Sequence, residues 1–272
     1  MRLDNFMSQR SIVVALAALI ITLIPMAVNA IAPLRVEAQR VEMDESDLRV
    51  RESLDTPTIE QQLPQPTVVS SAVSGAPPWS EFVPAQTIVQ VDPSNYDYRM
   101  ATDIHGNPLT NEIILVLHET VNSASSAINT FQRSHTSDND QVSYHTMITL
   151  DGTVVYLVPP EFRAFGAGNS VFNGPNGAET VRLDPVLPPS VNNFAYHTSL
   201  ETPADGRGNG RRHSGYTEAQ YRSLAWLIAQ TNIREERITT HQAVDRSGTR
   251  LDPRSFDGAH FLSLLHAYRG ES

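Results

Sequence analysis

Nine histidines are the side chains best suited to chemistry here, at positions 105, 118, 135, 145, 197, 213, 241, 260 and 266. His118 closes the apolar run Ile113–Leu117, and His241 follows Ile238-Thr239-Thr240. An imidazole at the end of a buried strand must be hydrogen-bonded or ligated, because desolvating it otherwise is unfavourable. Either histidine alone reads as a satisfied core residue. His241, however, is followed eleven positions later by Asp252 and then Pro253. Two histidines and one carboxylate suit a catalytic zinc, since three protein ligands leave a fourth position open for a water whose pKa the metal lowers to about 7. The spacing is too long for two ligands on one helix face. It requires a strand end and a returning loop, and by itself it does not bring His118 near either residue. His260 and His266 read as surface or packing residues of a last helix, and His105 and His135 as loop residues with no assigned role.

Several elements could position such a site. Ile113–Leu117 has the composition of a buried strand. Ala124, Ala127, Ile128 and Phe131 recur at helical spacing. From Val142 to Leu150 the residues alternate, with Val142, Tyr144, Thr146, Ile148 and Leu150 on one face and Ser143, His145, Met147 and Thr149 on the other. Asp151-Gly152 is a hairpin turn, and Thr153–Val158 is its return strand, stopped by Pro159-Pro160. Phe194–Leu200 is a further strand. Thr217 and Gln220 stand as a capping box requires, ahead of a helix carrying Tyr221, Leu224, Ala225 and Ile228 on one face. Asp257 caps a last helix with Phe261, Leu264, Leu265 and Tyr268. The pattern over about 175 residues predicts one α/β domain, a central sheet flanked by about three helices.

Composition narrows the chemistry. The chain has 272 residues, 40% hydrophobic and 18% charged, with 20 basic against 30 acidic residues and a net charge of −10. That balance argues against a nucleic-acid binder, which needs a basic face. There is no cysteine, so disulfides, thiolate ligands and thiol catalysis are excluded. Every basic residue is arginine; without lysine there is no Schiff-base chemistry. Arg2 and Arg10 flank a polar start, Ile12–Val28 is almost wholly apolar, and Val28-Asn29-Ala30 offers small residues for cleavage. Residues 1–30 therefore read as an export signal, with an uncleaved membrane anchor as the alternative. Either one places the rest of the chain outside the cytoplasm. Residues 31–95 hold 8 of the 18 prolines and 10 acids against 4 arginines, the composition of a disordered linker. The folded domain is expected over 96–272.

These segments, in order, resemble the zinc-dependent N-acetylmuramoyl-L-alanine amidases of the type 2 amidase and peptidoglycan-recognition-protein superfamily. The resemblance lies in Val116-Leu117-His118-Glu119-Thr120, in Val142-Ser143-Tyr144-His145 with Leu150-Asp151-Gly152, and in Tyr156-Leu157-Val158-Pro159. It continues in Arg163-Ala164-Phe165-Gly166-Ala167-Gly168, in Gly215–Tyr221, and in Thr240-His241 through Arg250-Leu251-Asp252-Pro253. It implies a central mixed β-sheet, zinc held by His118, His241 and Asp252, and hydrolysis of the amide between N-acetylmuramic acid and L-alanine in peptidoglycan. It also implies a peptidoglycan or muropeptide substrate; with the export segment the domain is expected outside the cytoplasm facing the cell wall, with the acidic charge no nucleic acid is expected, and a monomer is expected.

The resemblance further suggests catalytic roles for three residues. Tyr144 matches a tyrosine that some members place over the metal; its plain alternative is strand packing. Arg250 stands where many members carry a lysine; it can stabilise developing charge but, always protonated, cannot act as a general acid. His197 falls on the strand where many members carry a catalytic glutamate, and a histidine can transfer a proton near neutral pH. Glu201 is the carboxylate alternative in another register. Gly166 replaces a histidine of many relatives, which removes a substrate contact. His145 is expected to support the site and His213 to lie in a loop near the groove. The rival readings are a non-catalytic peptidoglycan-binding module and a secreted zinc amidase acting on another peptide-like substrate.

Overall fold

The computed structural model describes residues 82–271. The export segment 1–30 and the linker as far as residue 81 lie outside the described residues. Among those described, no helix is long and apolar enough to cross a membrane.

A six-stranded mixed sheet organises the domain, in the order β1 (Gln86–Ile88), β5 (Val154–Tyr156), β4 (Thr146–Ile148), β9 (Ala195–Leu200), β3 (Ile114–Glu119), β10 (Ile238–Thr240). Only β4 and β5 pair antiparallel; every other neighbouring pair is parallel. The exception follows from local sequence. Thr149 and Thr153 close a tight turn in which Gly152 takes φ of 86°, and a Cβ there would meet the Ala219 carbonyl at 2.8 Å. Parallel neighbours need longer crossovers, and helices supply some of them. Two small antiparallel pairs, β2 (Tyr96–Tyr98) with β6 (Phe162–Ala164) and β7 (Phe172–Gly174) with β8 (Gly177–Glu179), complete the strands.

Both faces of the sheet are covered, so its central strands are buried throughout. On one face, Leu115, Leu117, Ile148 and Leu200 pack against Leu224 and Ile228 of α2 (Glu218–Ala229) and Phe261 and Leu265 of α4 (Gly258–Arg269). On the other, Met147 and Val155 pack with Ala124 and Phe131 of α1 (Ala124–Phe131), and Ile114 and Val116 pack with Phe172, Phe194 and Val244. The expected caps are present. Thr217 and Gln220 form a reciprocal capping box on α2, and Asp257 accepts from His260 N at the start of α4. A single turn, α3 (His241–Val244), joins the three longer helices.

Two expectations need correction. The ordered domain begins before residue 96: β1 pairs with β5, and the fully buried Asn95 amide donates to the Phe131 and Arg133 carbonyls. All three β1 residues are exposed, so this edge strand carries no hydrophobic period to announce it. The alternation from Val142 to Leu150 also overstates β4. Val142 N donates to Asn95 Oδ1 and Ser143 N to the Phe165 carbonyl, which draws these residues out of the ladder. In consequence Tyr144 packs on the Met147 side and does not share a face with Ile148.

Candidate functional site

His118 sits on β3 at even parity with Ile114 and Val116, so it faces away from α2 and α4. Strand β10 lies parallel beside β3 with Thr240 opposite Leu117, which carries the next residue, His241, alongside His118. The Thr240 hydroxyl caps α3 by accepting from Ala243 N, turning the chain at that point. Asp245 then gathers the loop: its carboxylate accepts from the backbone N–H groups of Ser247, Thr249 and Arg250. Gln242 N donates to the Asp252 carbonyl at 3.0 Å, closing the return. Strand end plus returning loop is the geometry the His241–Asp252 spacing demanded.

The three donors converge. Asp252 Oδ2 lies 3.0 Å from His241 Nδ1 and 3.3 Å from His118 Nδ1, and the ligand atoms all fall within 4.8 Å of one another. His118, His241 and Asp252 are 0%, 6% and 8% exposed. A tetrahedral cation with bonds of about 2.0–2.1 Å sets its ligand atoms about 3.3 Å apart, which matches both contacts.

The protonation pattern also fits a cation. Ala167 N–H donates to Asn192 Oδ1, which fixes that amide oxygen as an acceptor. His197 Nε2, 3.1 Å from the same oxygen, must therefore carry its proton, leaving His197 Nδ1 as an acceptor. His118 Nε2, 2.9 Å from it, is then the donor, and the neutral His118 ring turns an Nδ1 lone pair toward the Asp252 oxygen. Burial lowers the His118 pKa to about 4, so the ring stays neutral at pH 7. Burial opposes ionisation of Asp252, but the His241 imidazole, with Nδ1 3.0 Å away, favours the carboxylate and holds its pKa below the usual range. A lone pair facing a carboxylate is repulsive unless a cation lies between them, and neutral imidazole with ionised carboxylate is the state metal binding requires.

The other expected residues separate into two groups. Tyr144 stacks on His118 with ring centroids 4.5 Å apart and meets Phe131 edge-on at 5.3 Å. Burial raises its pKa, so the phenol is a proton donor at neutral pH. Arg250 is exposed on the returning loop, and its charge reaches both His118 and Tyr144. Tyr144 thus touches one member of the triad, and Arg250 lies on the loop that carries another.

His197 is fully buried behind His118, and burial holds its pKa well below that of an ordinary histidine. Its place in the hydrogen-bond chain orients the His118 ring, the usual work of a residue behind a ligand. The proton-transfer role expected for His197 is corrected accordingly. Glu201 is not its substitute, since its two oxygens accept from Ala124 N and Leu150 N at 2.9 and 3.1 Å and so tie α1 to the hairpin. His145 supports the site as expected: its Nδ1 accepts from His197 N, leaving Nε2–H for the Phe162 carbonyl.

Gly166 has a structural role that the sequence did not show. A Cβ there would lie 2.5 Å from His197 Cγ and Nδ1, so the glycine makes room for that ring. Gly166→Ala should displace His197, release His118 and lower metal affinity about 10–100-fold, the usual effect of losing an orienting partner. Chelator competition measures this; wild-type affinity would show that the ring can move at no cost.

Sequence reasoning missed a second polar cluster on the opposite face of β3. Glu119 accepts from Arg254, from Tyr216 OH at 2.9 Å and from His213 Nε2 at 3.0 Å. Arg254 also donates to the carbonyls of Gly206, Gly208 and Gly210. The available signal was a charged residue directly after His118 in a strand whose other members are apolar.

Buried histidines give the domain an acid limit. Burial lowers the His145 pKa to about 3, against about 6.5 in the unfolded chain. Its contribution is complete above pH 6.5 and is lost as pH falls toward the folded value, about 3 kcal/mol by pH 4. Urea midpoints of the metal-free protein should fall steeply between pH 6.5 and 4. A flat profile would show that these rings are not held neutral.

No curated protein matches the chain. Among solved structures, AmpD from Citrobacter freundii is 23% identical, with a TM-score of 0.42, over 68% of this chain and 92% of that one. The amidase LysC from Clostridium intestinale URNW is 20% identical, with a TM-score of 0.39, over 66% and 97%. AmpDH3 from Pseudomonas aeruginosa, in complex with anhydromuramic pentapeptide, is 16% identical, with a TM-score of 0.41, over 61% and 66%. The family model described as N-acetylmuramoyl-L-alanine amidase matches residues 112–255. That match covers more than half of the chain and includes all three converging donors, and it establishes that the chain belongs to the N-acetylmuramoyl-L-alanine amidase family.

Proposed function

We propose that the domain hydrolyses the amide between N-acetylmuramic acid and L-alanine in peptidoglycan, with zinc held by His118, His241 and Asp252. The observation that carries the reading is the convergence of those three donors inside the segment that matches the amidase family. Held by His118, His241 and Asp252, zinc would supply polarisation of the amide carbonyl and a water that is nucleophilic at neutral pH.

The chain's own groups supply the rest. Charge develops on the amide oxygen as water attacks, and a fixed donor stabilises it. The protonated Tyr144 phenol, held against His118 by stacking, is such a donor. The Arg250 guanidinium adds positive charge at the mouth of the site without exchanging a proton. His197, Asn192 and His145 hold the His118 ring from behind. Action as a monomer is part of the proposal. Export to the wall, by a cleaved signal or an anchored 1–30 segment, completes the proposal; a linker then gives the domain reach.

Zinc content of the purified protein, with new muramic lactyl ends and free L-alanine amino termini from digested wall, tests the reading. Bound zinc without cleavage would favour a binding module, and cleavage only of a small acyl-peptide would favour another substrate. Tyr144→Phe should lower kcat about 10²–10³-fold, the range seen when one oxyanion donor is removed, while zinc content stays at the wild-type level. An unchanged kcat would leave Tyr144 with packing alone.

A further inference from the structure

Ser199 lies opposite His118 across β9 and β3, and opposite Met147 across β9 and β4. Registered residues on neighbouring parallel strands stand side by side, about 4.8 Å apart, with side chains on the same face. Its hydroxyl therefore points to the face that carries the metal-ligating triad. Ser199 is 0% exposed, and its Oγ has no hydrogen-bond partner.

The surrounding hydroxyls behave differently. Thr198, its neighbour on the opposite face, bonds Thr146 at 2.9 Å. Ser143 donates to the Asn95 carbonyl and Ser223 to the Gly152 carbonyl. The adjacent His118 offers Ser199 nothing, because its Nδ1 faces Asp252 and its Nε2 engages His197. A buried hydroxyl with donor and acceptor both idle is uncommon in a folded protein, and the usual explanation is a ligand or an ordered water.

We propose that the Ser199 hydroxyl is a hydrogen-bonding contact of the attacking water at the open corner of the triad. A serine hydroxyl stays neutral at pH 7, so it orients that water and does not take its proton. The inference rests on the amidase reading and adds to it the group that aims the nucleophile, a task for which neither His197 nor Glu201 is free.

The test uses the full chain, loaded with zinc and, separately, with cobalt. Ser199→Ala should lower kcat 10- to 100-fold with KM within twofold, and zinc affinity by chelator competition should stay within threefold. The visible absorption of the cobalt protein should shift, because its open position loses a hydrogen bond. Ser199→Thr, which keeps the hydroxyl, should recover part of kcat. Wild-type kcat together with an unchanged cobalt spectrum in Ser199→Ala would overturn the proposal, and so would a large loss of zinc affinity, which would assign Ser199 to the ligand framework. Wild-type turnover in the same assay checks the amidase reading separately; if it is absent, the cobalt spectrum alone decides the role of Ser199.

Discussion

Asp252→Ala should strip the metal from the site and abolish turnover. Asp252 is the only anion of the triad, and one of its oxygens faces both imidazoles. Two neutral histidines would remain, without the charge that neutralises part of a divalent ion. Outer partners of a ligand contribute about 10–100-fold in metal affinity, so removal of the ligand itself should exceed that range. Turnover falls with occupancy, because both carbonyl polarisation and water activation depend on the ion. Asp252→Asn makes the sharper comparison: it keeps the shape and one acceptor oxygen but removes the charge, and it should bind zinc far more weakly than wild type. His118→Ala and His241→Ala should give the same loss. Chelator titration and release of L-alanine amino termini measure the two effects together. Retention of zinc and turnover by any one variant would remove that residue from the ligand set.

Much of the fold was legible where a pattern is local. The run before His118 specified a buried strand because four consecutive core positions leave no other reading. The α2 capping box needs only Thr217 and Gln220, and Gly152 announces its turn by chemistry alone. What escaped was structure without local signature. Strand β1 is exposed throughout and is defined by its partner β5, not by its own residues. Tyr144 was assigned to the wrong face because tertiary hydrogen bonds to Asn95 and Phe165 end the alternation early.

The same division applies to the site. Residue types pointed to two histidines and one carboxylate, and the resemblance named three residues that the fold brings together. Their proximity depends on the register of β10 against β3, two strands separated by well over a hundred residues, which no local pattern encodes. Placing His197 in proton transfer relied on chemistry without parity. It lies opposite Val116 on the face of His118, but two pairs further from the strand end, so it meets the back of the His118 ring. Gly166 shows the converse case, an absent side chain whose role is visible only beside the ring it accommodates.

Arg254→Ala should destabilise the domain by about 3–5 kcal/mol, the range for removing one partner of a buried ion pair. Glu119 and Arg254 are 1% and 4% exposed at their side chains and bond each other directly. Without the guanidinium, Glu119 keeps Tyr216 and His213 as hydrogen-bond donors but loses its arginine partner. The carbonyls of Gly206, Gly208 and Gly210 lose their shared donor at the same time. Total stability of a domain is only about 5–15 kcal/mol, so this is a large fraction of it. At roughly 2–4 °C per kcal/mol for a domain of this size, Tm should drop by about 6–20 °C. The damage also reaches the metal, because Glu119 follows His118 and Arg254 stands two residues after Asp252, so the pair clamps the strand end to the returning loop. Zinc affinity should therefore fall along with Tm. Arg250→Ala, at an exposed position on that loop, should leave Tm within about 1 °C, since surface substitutions are usually worth no more than 0.5 kcal/mol. The double variant Glu119→Gln, Arg254→Met removes the uncompensated charge and should recover part of the loss, which separates ionic imbalance from lost packing. A loss below 1 kcal/mol in Arg254→Ala would mean that water reaches Glu119 and that the clamp contributes little.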